Sequence, residues 1–244
     1  MKEPLNLGRC LSFINSQLRL NEHGDSQEKM RWRAVTLSRQ TGTGGHLVAE
    51  ELAMYLQLLG GENAGPWMVF DRNLLERVLE EHNLPARLAK FMPEDRISHI
   101  EDMLDELFGL HPPTWTLVEK TSDTILRLAE LGNVIILGRG ANVITSKLDN
   151  VFHARLVGSL EARTQYVEAD RKLDRKAAEE LILHEDEGRR RYVRKYFHRD
   201  VDDPALFHVA INTPAVGHAA AAKLIMQAMY PTLETAHALS PRHD

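Results

Sequence analysis

Residues 33–60 read RAVTLSRQTGTGGHLVAEELAMYLQLLG, and the three parts of that string decide the fold. RAVTLS is short and rich in β-formers, QTGTGG supplies conformationally free glycines, and HLVAEELAMYLQLLG repeats apolar residues at helical intervals. The order is strand, glycine loop, helix. Outward from it the alternation continues. WMVFD (67–71) is an apolar run ending on an acid, followed by RNLLERVLEEHNL at helical spacing. NVIILG (133–138) is a near-continuous β-branched run of the kind buried on both faces, and FHARLVG (152–158) leads into the helical SLEARTQYVEAD. FHVAINT (207–213) is the last strand, and a closing amphipathic helix runs from about Val216 to Met229. Parallel strands need crossover connections, so this alternation predicts an α/β fold, a three-layer sandwich around a parallel sheet.

The remaining segments are helical or polar. Between Pro85 and Pro113, Ile97, Ile100, Met103, Leu104 and Leu107 recur at helical intervals, which predicts helices over a cleft, outside the sheet. Thr114 to Leu131 is amphipathic, and Arg171 to Arg199 is a highly charged helical stretch. Residues 1–30 read as an appended helix and linker, 31–230 as the main domain and 231–244 as a loosely ordered tail. The apolar spacing of the leading helix suits a packing contact or a homodimer contact.

With 244 residues, 43% of them hydrophobic, the chain can bury a sizeable core. A net charge of -5 gives no global field toward nucleic acid or an anionic membrane, so any phosphate-binding surface must be local. The single cysteine, Cys10, cannot form an intramolecular disulfide, and no long apolar run appears. These features point to a cytoplasmic protein without nucleic-acid or membrane partners. No H-E-x-x-H or paired-cysteine spacing suggests a zinc site among the 12 histidines.

Glycines between a strand and a helix let backbone amides face an anion, and the helix N-terminus adds partial positive charge. A phosphate is the natural guest. Against the phosphate-loop pattern G-x-x-x-x-G-K-[ST], residues 39–46 place Arg39 at the first glycine, Gly45 at the lysine and His46 at the magnesium-binding hydroxyl. Another cation must then serve the terminal phosphates, and Arg39 is the first candidate.

The string TLSRQTGTGGHLVAEELA (36–53) resembles the opening of the cytidylate kinase-like family, whose members carry S-R-x-x-G-[ST]-G-G before a helix. FDRNLLERV (70–78), VIILGRGANVI (134–144) and the pair HEDEGRRRYVRKYF with DDPALFHVAINT (184–213) resemble its later blocks in the same order. The resemblance implies a P-loop nucleoside-monophosphate kinase fold with a mobile, arginine-bearing helical lid. It also implies transfer of a phosphoryl group from ATP, with Mg2+, to a nucleoside monophosphate, CMP or dCMP foremost. Such chemistry rests on positioning and charge neutralisation. The alternatives are a nucleotide-binding regulatory module with little or no transfer, or a kinase for another small acceptor.

On that resemblance Arg39, Arg189 and Arg194 are the catalytic arginines, the last two on the lid after Asp186. Gln40, Thr41, Gly42, Thr43, Gly44 and Gly45 cradle the donor phosphates, and His46 either donates to them, caps the loop helix or is a partly exposed histidine without a role. Asn212 and Thr213, at the end of the last strand, lie beside the donor base or serve as turn caps. Thr43 is either a hydroxyl for magnesium or a turn contact. Asp71 is either an acceptor-site carboxylate or a helix N-cap, and Arg72 is a further acceptor-site residue. Arg139 binds the acceptor phosphate or pairs with a carboxylate at the cleft edge. Leu137 departs from the acidic residue that true bacterial cytidylate kinases place before the Gly-Arg pair, which opens the question of acceptor specificity. Tyr192 and Tyr196 are expected to pack the lid onto the core.

Overall fold

The structure is a computed structural model and describes residues 7–22, 32–60, 65–75, 92, 94–109 and 116–231. Strands β1 (Ala34–Arg39), β2 (Met68–Phe70), β3 (Val134–Leu137), β4 (Val151–Val157) and β5 (Val209–Asn212) form one sheet in the order β2, β3, β1, β4, β5. Every pairing is parallel, as the alternation with helices predicts. The helices are α1 (Leu7–Glu22), α2 (Gly45–Gly60), α3 (Glu94–Phe108), α4 (Thr116–Leu131), α5 (Ala141–Ile144), α6 (Leu160–Arg171), α7 (Arg175–Phe197), α8 (Thr213–Val216) and α9 (His218–Met229). Of the helix expected after β2, only the turn 72–75 falls within the described residues, and the tail from 232 onward lies outside them.

The two-residue period of the strands divides the apolar residues between two cores. Ala34, Val134 and Ile136 face one, where they meet Ile100 and Met103 of α3, Ile125 and Leu128 of α4, and Val193 and Phe197 of α7. Val35, Leu37, Ile135 and Leu137 face the other, under Val48 and Leu52 of α2 and Ala221 and Ile225 of α9. Helices on both faces of a parallel sheet make the three layers.

The leading helix is woven into the first core. Cys10, Phe13 and Ile14 are buried there, and Phe13 meets the Phe70 ring edge-on at 6.1 Å. Each fully buried side chain of this size contributes about 1.5–3 kcal/mol. The apolar stripe expected to serve packing or a dimer thus serves packing within the chain. Burial also pushes the Cys10 thiol up to about 12.

A buried polar pair links two strands in the first layer. Thr36 Oγ1 and His153 Nδ1 lie 2.8 Å apart, and the His153 ring stacks on His208 at 5.1 Å. Burial, aided by His208, lowers the His153 pKa from 6.5 to about 4, so the folded protein holds this ring neutral. The unfolded chain takes up the proton first as pH falls. The stabilisation is therefore complete above pH 6.5 and is lost progressively toward pH 4, on the order of 3 kcal/mol in all. Urea unfolding across this window should lose stability more steeply in the wild type than in His153→Phe; parallel profiles would reject the assignment.

Candidate active site

Because all five strands run the same way, the residues at their carboxyl ends share one edge of the sheet. Arg39 ends β1, Asp71 follows β2, Gly138 and Arg139 follow β3, Gly158 follows β4, and Asn212 and Thr213 lie at the end of β5. The glycine loop is fixed here by Gln40. Its amide donates to the Leu156 carbonyl at 3.0 Å, its side-chain oxygen accepts from the Gly158 amide at 3.0 Å, and its carbonyl accepts from the Thr43 hydroxyl at 2.8 Å.

Gly42 and Gly44 adopt φ of +84° and +67°, and neither site has room for a side chain. A Cβ on Gly42 would lie 2.6 Å from the Arg163 carbonyl oxygen, and one on Gly44 would enter the His218 ring. This conformation leaves the amides of Gly42, Thr43 and Gly44 without an acceptor among the described residues, at the N-terminus of α2. Backbone donors beside a helix N-terminus form an anion-binding concavity.

Three arginines converge on that concavity. The Arg39 side chain passes Gly45, where an added Cβ would lie 3.1 Å from its Cγ, and its guanidinium occupies the space that Gly138 leaves open. Among the described residues Arg39 forms no ion pair. Burial, then the charge of Arg189, with Arg139 adding to both, pull its pKa down to about 10 against the opposing pull of Glu185 and Asp71. Gly138, Arg139 and Gly140 are three successive left-handed residues, with φ of +83°, +59° and +69°. A non-glycine residue in this region costs about 1–2 kcal/mol, and such strain gathers at functional sites. The turn brings the Arg139 guanidinium over the Tyr192 ring at 5.8 Å.

Helix α7 supplies the fourth wall. Asp174 caps its start by accepting from the Ala177 amide at 2.9 Å. Further along, Asp186 Oδ1 accepts from the Thr41 amide at 2.8 Å and from Arg189 Nη1 at 2.9 Å, and its Oδ2 accepts from Arg163 Nη1 at 2.7 Å. Arg163 also donates to the carbonyls of Gly158 and Thr41, each at 3.0 Å. Asp186 and Arg163 are both 7% exposed, so this is a buried, multiply hydrogen-bonded pair. Glu185 Oε2 accepts from the Thr41 hydroxyl and from Arg189 Nη2, both at 2.9 Å. Arg189 donates to the Thr41 hydroxyl as well.

A second network anchors the same helix. Arg155, buried on β4, donates to Ser38 Oγ at 2.8 Å and pairs with Asp202, whose other oxygen accepts from Arg190 Nε at 2.7 Å. Burial opposes ionisation of Asp202, but Arg190 and Arg155 outweigh it and hold the carboxyl below its usual range. At the far end of α7, Phe197 packs so closely on Gly140 that a Cβ there would lie 2.6 Å from its ring. Tyr192 and Tyr196 pack against the first core, as the sequence suggested.

The expected site residues divide accordingly. Arg39, Arg139, Arg189, Asp71 and the glycine loop meet. Asp71 is an N-cap, its Oδ1 accepting from the Leu74 amide at 2.8 Å, while its Oδ2 stands 3.9 Å from His46 Nε2. Arg72 is exposed on the following turn, within electrostatic reach of Tyr192. Thr43 is 1% exposed with its hydroxyl in the turn, the alternative to the magnesium role. Asn212 is exposed, and the Thr213 hydroxyl is buried without a hydrogen-bond partner among the described residues. Arg194 is exposed and outside the cluster, because five helical residues separate it from Arg189 by about 140° around the axis.

Sequence reasoning passed over Arg155, Arg163, Glu185 and His218. Arg155 did leave a signal: a charge inside the apolar FHARLVG strand demands a buried partner.

Fold and site together define a three-layer α/β protein with an all-parallel five-strand sheet and a cluster of arginines at its carboxyl edge. The sequence model of the cytidylate kinase-like family matches residues 34–215, and the chain belongs to that family, a membership that points to a nucleotide kinase. A crystal structure of an uncharacterized protein from Eubacterium ventriosum superposes with a TM-score of 0.62 at 20% identity, covering 81% of this chain and 97% of that one. That likeness supports the fold. No curated protein matches the chain. Among the described residues no helix is long and apolar enough to cross a membrane.

Proposed function

We propose that this protein transfers the terminal phosphoryl group of ATP to a nucleoside monophosphate, with CMP or dCMP the leading acceptor. The observation that carries the reading is Arg39: a buried cation that, among the described residues, has no ion pair and is flanked by two more arginines and by backbone amides without acceptors there. Burial and the charges of Arg189 and Arg139 disfavour the Arg39 cation while Glu185 and Asp71 oppose them, and an anion of high charge density would stabilise it further. A triphosphate chain and an acceptor phosphate are such anions, and the arginines would neutralise charge as it redistributes between donor and acceptor oxygens.

Arg39 takes the place of the ammonium that the loop lacks, Arg189 reaches the same point from α7, and Arg139 holds the acceptor phosphate. The orphaned Thr213 hydroxyl fits a polar contact from the donor nucleotide. Among the described residues no cluster of three metal-ligating side chains occurs, so Mg2+ would be held mainly by phosphate oxygens and water, with Asp71 a carboxylate whose charge acts on Arg39. When bound, that ion supplies further charge neutralisation between the phosphates. A buried cysteine and no membrane-spanning helix among the described residues suit a cytoplasmic enzyme.

One observation favours the alternative of a binding module with little transfer: Asp186 and Glu185 occupy the amide and hydroxyl of Thr41. ADP release measured over a panel of nucleoside monophosphates and other small phosphate acceptors separates the readings. We expect turnover with a pyrimidine monophosphate. ATP binding without turnover on any acceptor would favour the module, and turnover confined to a non-nucleotide would reassign the acceptor. With the best acceptor, Arg139→Ala should raise the acceptor KM by on the order of tenfold or more, the loss of a charge-assisted contact, with a smaller change in the KM for ATP. An unchanged acceptor KM would remove Arg139 from this role.

A further inference from the structure

We infer that Glu185 is an affinity- and specificity-determining residue: its carboxylate stands in for a phosphoryl group on the donors of the glycine loop and must be displaced when a terminal phosphate binds. The inference rests on the nucleotide-binding reading above and concerns how the same site chooses its ligand. Glu185 Oε2 lies 2.9 Å from both Thr41 Oγ1 and Arg189 Nη2. Arg189 is the charge that, after burial, most depresses the Arg39 pKa, and Glu185 is the strongest charge acting in the opposite sense. Glu185 is therefore, beside Asp186, an anion that the chain itself supplies to the arginine cluster. It is monodentate at each donor and 38% exposed, so it can swing into solvent. Asp186 differs. Buried at 7% and fixed by Arg163, it holds α7 on the loop whether or not Glu185 is engaged.

Two consequences follow from competition for shared donors. A ligand that reaches Arg189 and the Thr41 hydroxyl binds with an affinity reduced by the fraction of molecules in which Glu185 occupies them. A ligand too short to reach them leaves Glu185 in place and is not penalised. Glu185 thus lowers affinity for a triphosphate, and it offers Arg189 a replacement partner once the terminal phosphate has departed. Discrimination by a competing internal anion is a form of negative selection built into the site.

The test is calorimetric titration of the full chain with ATP, ADP and adenosine, comparing wild type, Glu185→Gln and Glu187→Gln. Glu187 lies on the same helix but, among the described residues, pairs only with Arg190 and Arg191, at 3.7 and 4.0 Å, and serves as the control. Glu185→Gln should tighten ATP by about threefold to tenfold, the range of a modest charged contact released. ADP should gain less, adenosine nothing, and Glu187→Gln should match the wild type. If the wild type binds ATP while Glu185→Gln binds it equally or more weakly, or gains equally for adenosine, the inference is overturned and the nucleotide reading stands. If neither binds ATP, both are overturned. Because Glu185 is partly exposed, the variant is expected to fold, and Glu185→Ala provides a second test with the same predicted direction.

Discussion

Arg39→Ala is expected to lower kcat by on the order of a hundredfold or more, the cost of removing one preorganised donor from a charge-developing site. The loss should fall on kcat more than on KM, because Arg39 answers charge that redistributes during transfer. Its environment adds a second expectation. Arg39 is buried, repelled by Arg189 and Arg139, and without an ion pair among the described residues, so its folded pKa is about 10. Removing it relieves repulsion in the ligand-free protein. Thermal unfolding without ligand should therefore show Arg39→Ala at least as stable as the wild type, while activity collapses. Full activity in a folded variant would reject the charge-replacement role. A large stability loss would show that Arg39 is a structural cation.

Asp186→Ala carries the largest expected stability effect, about 3–5 kcal/mol, the usual consequence of breaking a buried ion pair from one side. Arg163, 7% exposed, would keep its bonds to the carbonyls of Gly158 and Thr41 but lose its countercharge. The Thr41 amide would lose its acceptor, and Arg189 one of its two carboxylates. Asp186→Asn retains an acceptor for the Thr41 amide and should cost less. Urea denaturation measures both, and a loss below about 1 kcal/mol for the alanine variant would show that the pair is not what seats α7 on the loop.

Several features were readable from residue order because they depend on local pattern. The β-branched VIIL run, the glycines after RAVTLS and the helical spacing of HLVAEELAMYLQLLG each prefer one conformation, and their alternation leaves little but a parallel sheet. Strand-end positions for Arg39, Asp71 and Arg139 follow from that sheet, since parallel strands place their carboxyl ends together. Arg194 shows where pattern stops. Its run of basic residues was legible, but which of them turns inward depends on how α7 seats on the loop.

Sequence alone therefore determined the order of elements, the sheet's direction and the edge at which the glycine loop and the strand-end arginines meet, because these are set by short-range backbone preference and by apolar periodicity. Tertiary structure decided the partners. Thr41 and Asp186 are separated by 145 positions, Ser38 and Arg155 by 117, Arg155 and Asp202 by 47, and Arg163 and Asp186 by 23. No local rule pairs such residues. They find one another because a charge taken out of water is stabilised by a countercharge or a hydrogen-bonding partner, and packing of the helices onto the sheet determines which ones come within reach.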